Sequence, residues 1–505
     1  MSIADSWQLV ARVGRSRPVR ACLVWLCMTA VAKGADGKRP NILFMLSDDH
    51  AVQSIGCFGS ALRKYNPTPS LDRLASGGVA FTNSFVQNSI CAPSRAAILT
   101  GKYSHLNGVR TWQSFDGSQQ TMPKLLQAAG YHTVLVGKWH LKSDPTGFDQ
   151  WTILPGQGEY FRPKFLDAEH SMKNPIVKEG YVSEVITRMA EEAIRNRPQD
   201  KPLAIFVHHK SAHIPFLCDP RDREWLADET LPEPANLRDT WEGRPAAKTA
   251  WNKVPNIEML HRKFDGNGIK KPGRERHNDP KEKGLSIQER NARRYQYYMK
   301  SYLRTARSID RSMGELLQVL DDEDMTDSTA VVYMADQGFY LGEHGMSDKR
   351  WAYEESMRTP LIIRYPGAPA GKRVAAFAMN LDIAPTFLDW AGVAVPKDMQ
   401  GRSLAPLVKG TVPKDWRDHA YYRYYDSKGY NIPQHQAVRT ATHKLIFFPK
   451  AKRYELFDLQ NDPTEMSNLA ASPGHSELLG KLKARLAQAR RNAADNDPDD
   501  YLEKR

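Results

Sequence analysis

Cysteine is scarce in this chain: there are five in 505 residues, and only Cys57, Cys91 and Cys218 lie beyond residue 32. So few thiols exclude a disulfide-built scaffold. Three is also an odd number, so in an oxidising compartment at least one thiol has no pairing partner and is marked for a chemical role. Long apolar runs are missing too. No segment is long and apolar enough to span a bilayer, so stable membrane insertion is not expected. Low-complexity tracts and internal repeats are also lacking, which argues against extended disorder and against a solenoid. The 41% apolar and 26% charged residues are those of a globular protein with one large core and a second, smaller one.

The first 32 residues form a separate pattern. Arg12, Arg15, Arg17 and Arg20 precede the apolar run 21–32, which ends in Ala30-Val31-Ala32. A basic segment, a run too short to cross a bilayer and a small-x-small site together predict an export signal cleaved after Ala32. The expected destination is secreted or periplasmic. Removing four Arg and one Asp takes the formal charge from +13 to +10. A basic exported protein attracts polyanions, and outside the cell these are sulfated or uronic polysaccharides rather than nucleic acid. The basic stretch from Lys263 to Arg307 reads equally well as a solvated face.

Short apolar runs recur, and each ends in a polar cluster. The run 41–46 leads into Ser47-Asp48-Asp49-His50, 132–136 into Gly137-Lys138, 203–207 into His208, and 330–334 into Ala335-Asp336. Such runs are strands buried on both faces. Helical patterns over 123–129 and 308–320 lie between them. The alternation predicts an α/β domain with a large mixed, mostly parallel sheet flanked by helices. Loops at the carboxyl ends of such strands converge on the ligand site, and Asp48, Asp49, Lys138, His140 and Asp336 all fall there. This domain is placed at 38–410. Within it 219–290, rich in Pro, charge and Trp and without a period, reads as an insertion. The segment 415–495 has strand-like stretches at 435–448 and 454–458, the turn Gln460-Asn461-Asp462-Pro463, and a stripe of Leu478, Leu479, Leu482 and Leu486. It predicts a smaller C-terminal α+β subdomain.

The most informative stretch is Cys91-Ala92-Pro93-Ser94-Arg95-Ala96-Ala97-Ile98-Leu99-Thr100-Gly101. Pro93 suits the first helical position and Gly101 a helix stop. Cys91 then stands just before a helix N-terminus, an anion-binding end, with Arg95 one turn on. Such surroundings suit either a reactive thiolate or an oxyanion site. The residues themselves leave that choice open.

The same stretch, C-x-P-S-R-x-x-x-L-T-G, resembles the signature of the sulfatase family, formylglycine-dependent enzymes of the alkaline phosphatase superfamily, in which the cysteine is oxidised to an aldehyde. Further segments are similar to that family, in its order, over nearly the whole chain beyond residue 32. Asp48-Asp49 resembles its first metal pair and Asp336-Gln337-Gly338 its second, although many members carry Asn or His where Gln337 stands. Lys138 and His140 in Gly137-Lys138-Trp139-His140, His213 before Ile214-Pro215, and Lys349 resemble its sulfate-binding lysines and histidines.

The resemblance implies an alkaline phosphatase-like fold, a formylglycine made from Cys91 by a maturase, and one divalent cation held by Asp48, Asp49, Asp336, Gln337 and the modified Cys91. Carboxylates with an amide oxygen are hard-oxygen chemistry, which favours Ca²⁺, then Mg²⁺, over zinc. Arg95, Lys138 and Lys349, with the cation, would neutralise the anionic ester. The hydrated aldehyde would attack sulfur and release the alcohol, with His213 as proton donor. Its second hydroxyl would then lose a proton to His140 and expel sulfate. His208 and His209 read as structural histidines, and Cys57 and Cys218 as idle thiols.

The run from Asp336 to Gly345 with Arg358-Thr359-Pro360 looks like the branch acting on sulfated sugars, and is similar to bacterial sulfatases that remove 6-O-sulfate from N-acetylglucosamine. A sulfated carbohydrate is therefore the expected substrate, with His435 and Arg439 placed as sugar contacts. Two other readings stand beside this one: a phosphate mono- or diesterase of the same superfamily, and a non-catalytic polyanion-binding protein in which Cys91 stays a thiol.

Overall fold

The structure is a computed structural model that describes residues 39–244, 248, 283–425 and 432–499. The expected export signal and most of the second half of the expected insertion lie outside these residues. The central sheet has eight strands: β1 (Asn41–Ser47), β2 (Val79–Phe81), β3 (His132–Lys138), β4 (Gln150–Leu154), β5 (Leu203–His208), β6 (Thr329–Ala335), β7 (Leu361–Arg364) and β8 (Lys372–Val374). Their order across the sheet is β8-β2-β7-β6-β1-β5-β3-β4. Neighbours pair in parallel except β7, which runs antiparallel to both β2 and β6. The sheet is mixed and mostly parallel, as expected.

Period-2 alternation sends the side chains of one strand to two cores. Leu43, Met45, Val331 and Tyr333 pack on one face with Leu71, Ile186, Ile309 and Met313. Ile42, Phe44, Val332 and Met334 pack on the other with Leu126, Phe387 and Leu388. Helices cover both faces, which is why β1 and β6 read as unbroken apolar runs. The first face is covered by α1 (Pro69–Ser76), α3 (Val182–Arg195) and α4 (Ile287–Asp322), while α2 (Cys91–Thr100) and α5 (Ile383–Trp390) lie on the second.

The helix α4 is much longer than the pattern 308–320 suggested. It spans 36 residues and starts with a capping box between Ser286 and Glu289, inside the stretch read as an insertion. Its first half is strongly polar, and its buried stripe there is Tyr295, Tyr298, Met299 and Tyr302. Tyrosines with satisfied hydroxyls replace aliphatic side chains, so the apolar period is diluted. The described part of the expected insertion is packed down: Leu226, Leu231 and Leu237 join the main core, and Arg311 pairs with Asp222.

The C-terminal part is a four-stranded antiparallel sheet of β9 (His419–Tyr424), β10 (His435–Thr440), β11 (His443–Phe448) and β12 (Arg453–Asp458). The stretch 435–448 is thus a hairpin of two strands. One face of this sheet packs on α6 (Ser476–Asn492) through Leu482 and Leu486. The other packs against the main domain through Tyr422, Ala437 and Ile446, which meet Trp351 and Tyr353. No helix among the described residues is long and apolar enough to cross a membrane.

Candidate active site

Two adjacent parallel strands, β1 and β6, deliver the acids. Asp48 and Asp49 follow β1, and Asp49 turns into the left-handed region at φ 60°. Asp336 follows β6, its amide donating to Ser47 O at 3.0 Å, and its Oδ1 accepts from Asp49 N at 3.2 Å. Behind it the chain passes very close to a neighbouring loop: a Cβ on Gly338 would lie 2.2 Å from Glu355 O and 2.3 Å from Arg358 O. Only glycine fits there, and this close crossing fixes where Asp336 and Gln337 point.

Helix α2 brings in the thiol. Cys91 is its first residue, and Ile90 is the extended residue before it. Pro93 therefore sits third in the helix rather than first, a position whose missing N–H still costs no intrahelical bond. Gly101 ends the helix in the left-handed conformation, as expected. All ten residues of α2 are buried, so nothing amphipathic marks this helix. The Cys91 sulfur accepts from Lys349 Nζ at 3.2 Å and donates to Asp48 Oδ1 at 3.2 Å. Burial pushes its thiol up to about 12, and the nearby Lys349 only partly offsets this. Desolvation is the largest cause, so it favours the neutral thiol in the unmodified side chain.

Three buried ion pairs surround the sulfur. Arg95 Nε meets Asp336 Oδ2 at 3.0 Å, while its Nη1 donates to Lys138 O at 2.7 Å. Lys138 pairs with Asp48 and Lys349 with Asp49. Lys349 lies between two residues with left-handed backbone, Asp348 at φ 81° and Arg350 at φ 95°. Strain of this kind survives only where the surroundings impose it. Burial raises Asp49 to about 6 against the pull of Lys349, with the Asp336 charge adding to the rise. A bound cation would relieve that penalty.

The donor set fits one divalent cation. Ligand atoms of Asp48, Asp49, Cys91 and Asp336 all lie within 4.8 Å of one another. Oxygens sharing a cation at about 2.3–2.6 Å are separated by roughly 5 Å at most. Gln337 adds a buried amide oxygen without a hydrogen-bond partner, and its Nε2 faces Asp49 and Cys91. The single soft donor is the Cys91 sulfur, and the mismatch disappears if that position carries oxygen.

His213 approaches from the turn after β5, its Nε2 3.9 Å from Asp49 Oδ2. Its Nδ1 lies 2.7 Å from Ile214 O, which fixes the proton there and leaves Nε2 facing the site. Burial, and then the charges of Lys138, Lys349 and Lys210, hold this histidine well below its ordinary range. His140, two residues past Lys138 and at φ 60°, packs edge-on against Trp112, and its Nδ1 is buried without a partner. His208 bonds to Lys138 O and His209 to Ser312 Oγ, the structural roles expected of them.

No hydrogen bond or ion pair among the described residues joins the two C-terminal candidates to this cluster. His435 is stacked with Trp351, Tyr422 and Tyr424, and Arg439 pairs with Glu354 above the ring of Phe85. Sequence reasoning passed over Gln157, which accepts from Lys138 Nζ, and Lys210, three residues before His213. The signal for Lys210 was available in the polar cluster that follows β5.

Known proteins resemble this chain over most of its length. Residues 40–393 match the family model described as sulfatase, and residues 342–492 match that of the N-sulphoglucosamine sulphohydrolase C-terminal region. The chain is 40% identical to an N-acetylglucosamine-6-O-sulfatase of Bacteroides thetaiotaomicron, with 92% of this chain and 88% of that protein covered. A human N-acetylglucosamine-6-sulfatase is 23% identical over 91% of this chain and 86% of its own length. Among solved structures, one in complex with its substrate D-glucosamine-2-N,6-O-disulfate superposes with a TM-score of 0.84 at 39% identity, covering 92% of this chain and all of that one. A phosphonate monoester hydrolase from Silicibacter pomeroyi shares the fold at a TM-score of 0.71 and 22% identity, covering 90% of this chain and 96% of its own. The architecture is the alkaline phosphatase-like one expected from the sequence.

Proposed function

This chain belongs to the sulfatase family and is a sulfuric ester hydrolase acting on a sulfated carbohydrate, and we propose that it removes the 6-O-sulfate from glucosamine units. The observation that carries the reading is the position of Cys91: buried at a helix N-terminus, within reach of Asp48, Lys349 and Gln337. The sugar and the sulfate position rest on the 40% identical relative and on the neighbour bound to a 6-O-sulfated glucosamine.

Asp48, Asp49, Asp336 and Gln337 would hold one divalent cation, calcium in this reading, which would supply positive charge to the ester oxygens. A formylglycine at position 91 would supply a nucleophile able to release its own sulfate ester, something an ordinary Ser or Cys ester lacks. The other residues act on charge and protons. Arg95, Lys138 and Lys349 balance the sulfate's charge in a site closed to water, where each contact counts for more than in solvent. With the anionic ester bound, its charge offsets the lysine charges that keep the free His213 neutral, so Nε2 would gain the proton it passes to the leaving alcohol, and His140 would take one at the second step. The proposal includes a maturase that oxidises Cys91, and export directed by residues 1–32 to a secreted or periplasmic destination.

The test is a panel of sulfated monosaccharides with the calcium-loaded enzyme. Glucosamine derivatives sulfated at O6 should be desulfated at least about tenfold faster, in kcat/KM, than those sulfated at O3 alone, as a misplaced reacting group predicts. Preference for a phosphate ester of the same alcohol would instead favour the esterase reading.

A further inference from the structure

The three carboxylates of the site are matched by three cations, Asp48 by Lys138, Asp49 by Lys349 and Asp336 by Arg95. A fourth cation, Lys210, is equally buried, with 2% of its surface exposed, and belongs to the same electrostatic group. The charge of Asp49 acts on it, and its own charge acts on Lys138 and His213. Yet among the described residues no carboxylate forms an ion pair with its ammonium, which rests over the ring of Tyr160, 4.6 Å from the centroid.

The backbone ties Lys210 to the catalytic turn. His213 N donates to Lys210 O at 3.0 Å, and the Tyr160 hydroxyl donates to His213 O. One tyrosine thus holds the proton donor by its hydroxyl and carries Lys210 on its face. A buried ammonium without a counter-anion is unfavourable, and the penalty falls when an anion enters its neighbourhood. Burial pulls Lys210 down to about 8, against the charge of Asp49, so near neutral pH it still carries the charge an incoming anion needs.

We propose that Lys210 is a further anion-binding residue of this pocket, its ammonium taking an oxygen of the substrate's sulfate group and of the sulfate product. The inference rests on the sulfatase reading above. The competing role is structural, a cation seated on Tyr160 to fix that ring.

The two roles separate in the binding of inorganic sulfate to the calcium-loaded protein, measured by calorimetry without turnover. Lys210→Met keeps the apolar stem over Tyr160 and removes only the charge, while Lys210→Gln is a second neutral variant should the first fold poorly. Both should weaken sulfate binding by about tenfold or more, the order expected for one charge-assisted contact, and Lys210→Arg should restore most of it. In turnover, KM for the sulfated sugar should rise by a larger factor than kcat falls. Unchanged sulfate affinity in the neutral variants would overturn the proposal, as would a loss confined to kcat or a wild-type protein that binds no sulfate. A wild type that binds sulfate but cleaves no sulfate ester would sink the functional reading alone, and the binding comparison would still decide the role of Lys210.

Discussion

The hydroxyl of Tyr422, on the C-terminal sheet, donates to the backbone carbonyl of Arg350, the residue after Lys349. The same oxygen accepts from Ser89 N at 3.4 Å, two residues before Cys91. One side chain of the smaller subdomain therefore fastens both the loop that carries Lys349 and the one that leads into Cys91. Tyr422→Phe keeps the ring in its packing and removes only these bonds. It should cost about 1–2 kcal/mol of stability and, because Lys349 and Cys91 lose their registration, lower kcat roughly three- to tenfold. Thermal melting and steady-state kinetics check both; a lower melting point with unchanged kcat would confine Tyr422 to packing.

In the proposed mechanism Cys91 serves as a reagent, so Cys91→Ala should leave the circular dichroism spectrum intact while turnover falls by about a thousandfold or more. In the wild-type protein made with a maturase, the peptide containing position 91 should weigh about 18 Da less than its unmodified form, the difference between a thiol side chain and an aldehyde. An active protein with an unmodified peptide would contradict the proposed nucleophile.

Removing the divalent cation should lower activity and stability together. A ligand present at a hundred times its dissociation constant stabilises the native state by about 2.7 kcal/mol, so chelation should reduce the melting temperature and added calcium should restore it. Gln337→Ala removes a proposed ligand that takes part in no ion pair. It should weaken calcium binding by about tenfold without unfolding the protein, as read by a calcium titration of thermal stability.

Asp310, on α4, accepts from the amides of Ser70 and Leu71 at the start of α1, at 3.1 and 2.8 Å. Burial raises its pKa from 3.8 to about 6, although those amides pull it down. The folded state therefore holds this proton more tightly than the unfolded chain. Its contribution is fully present below about pH 4 and is lost as pH rises through about 6. Relative to Asp310→Asn, which does not titrate, the wild type should lose on the order of 2 kcal/mol across that window, measured by denaturant titrations at pH 4 and pH 7. A constant difference would show that the amides cancel the effect of burial.

Much of this protein is legible in its sequence, and the reasons are local. Unbroken apolar runs ending in Asp48, Asp336 and Lys138 mark strands buried on both faces, and Gly101 marks the end of α2 because only a left-handed residue closes it there. The first half of α4 was not legible, because Tyr295, Tyr298 and Tyr302 bury aromatic rings within an otherwise polar pattern.

The chain on its own determined which residue types could do the chemistry and on which strand ends they stand, since both follow from short-range periodicity and from a compact motif around Cys91. Only the tertiary structure decided which charges meet. It paired Lys138 with Asp48, Lys349 with Asp49 and Arg95 with Asp336, left Lys210 over a tyrosine ring, and put His435 in an aromatic stack. These contacts join residues tens to hundreds of positions apart, and Coulomb interaction and desolvation depend on distance in space, which no local pattern encodes.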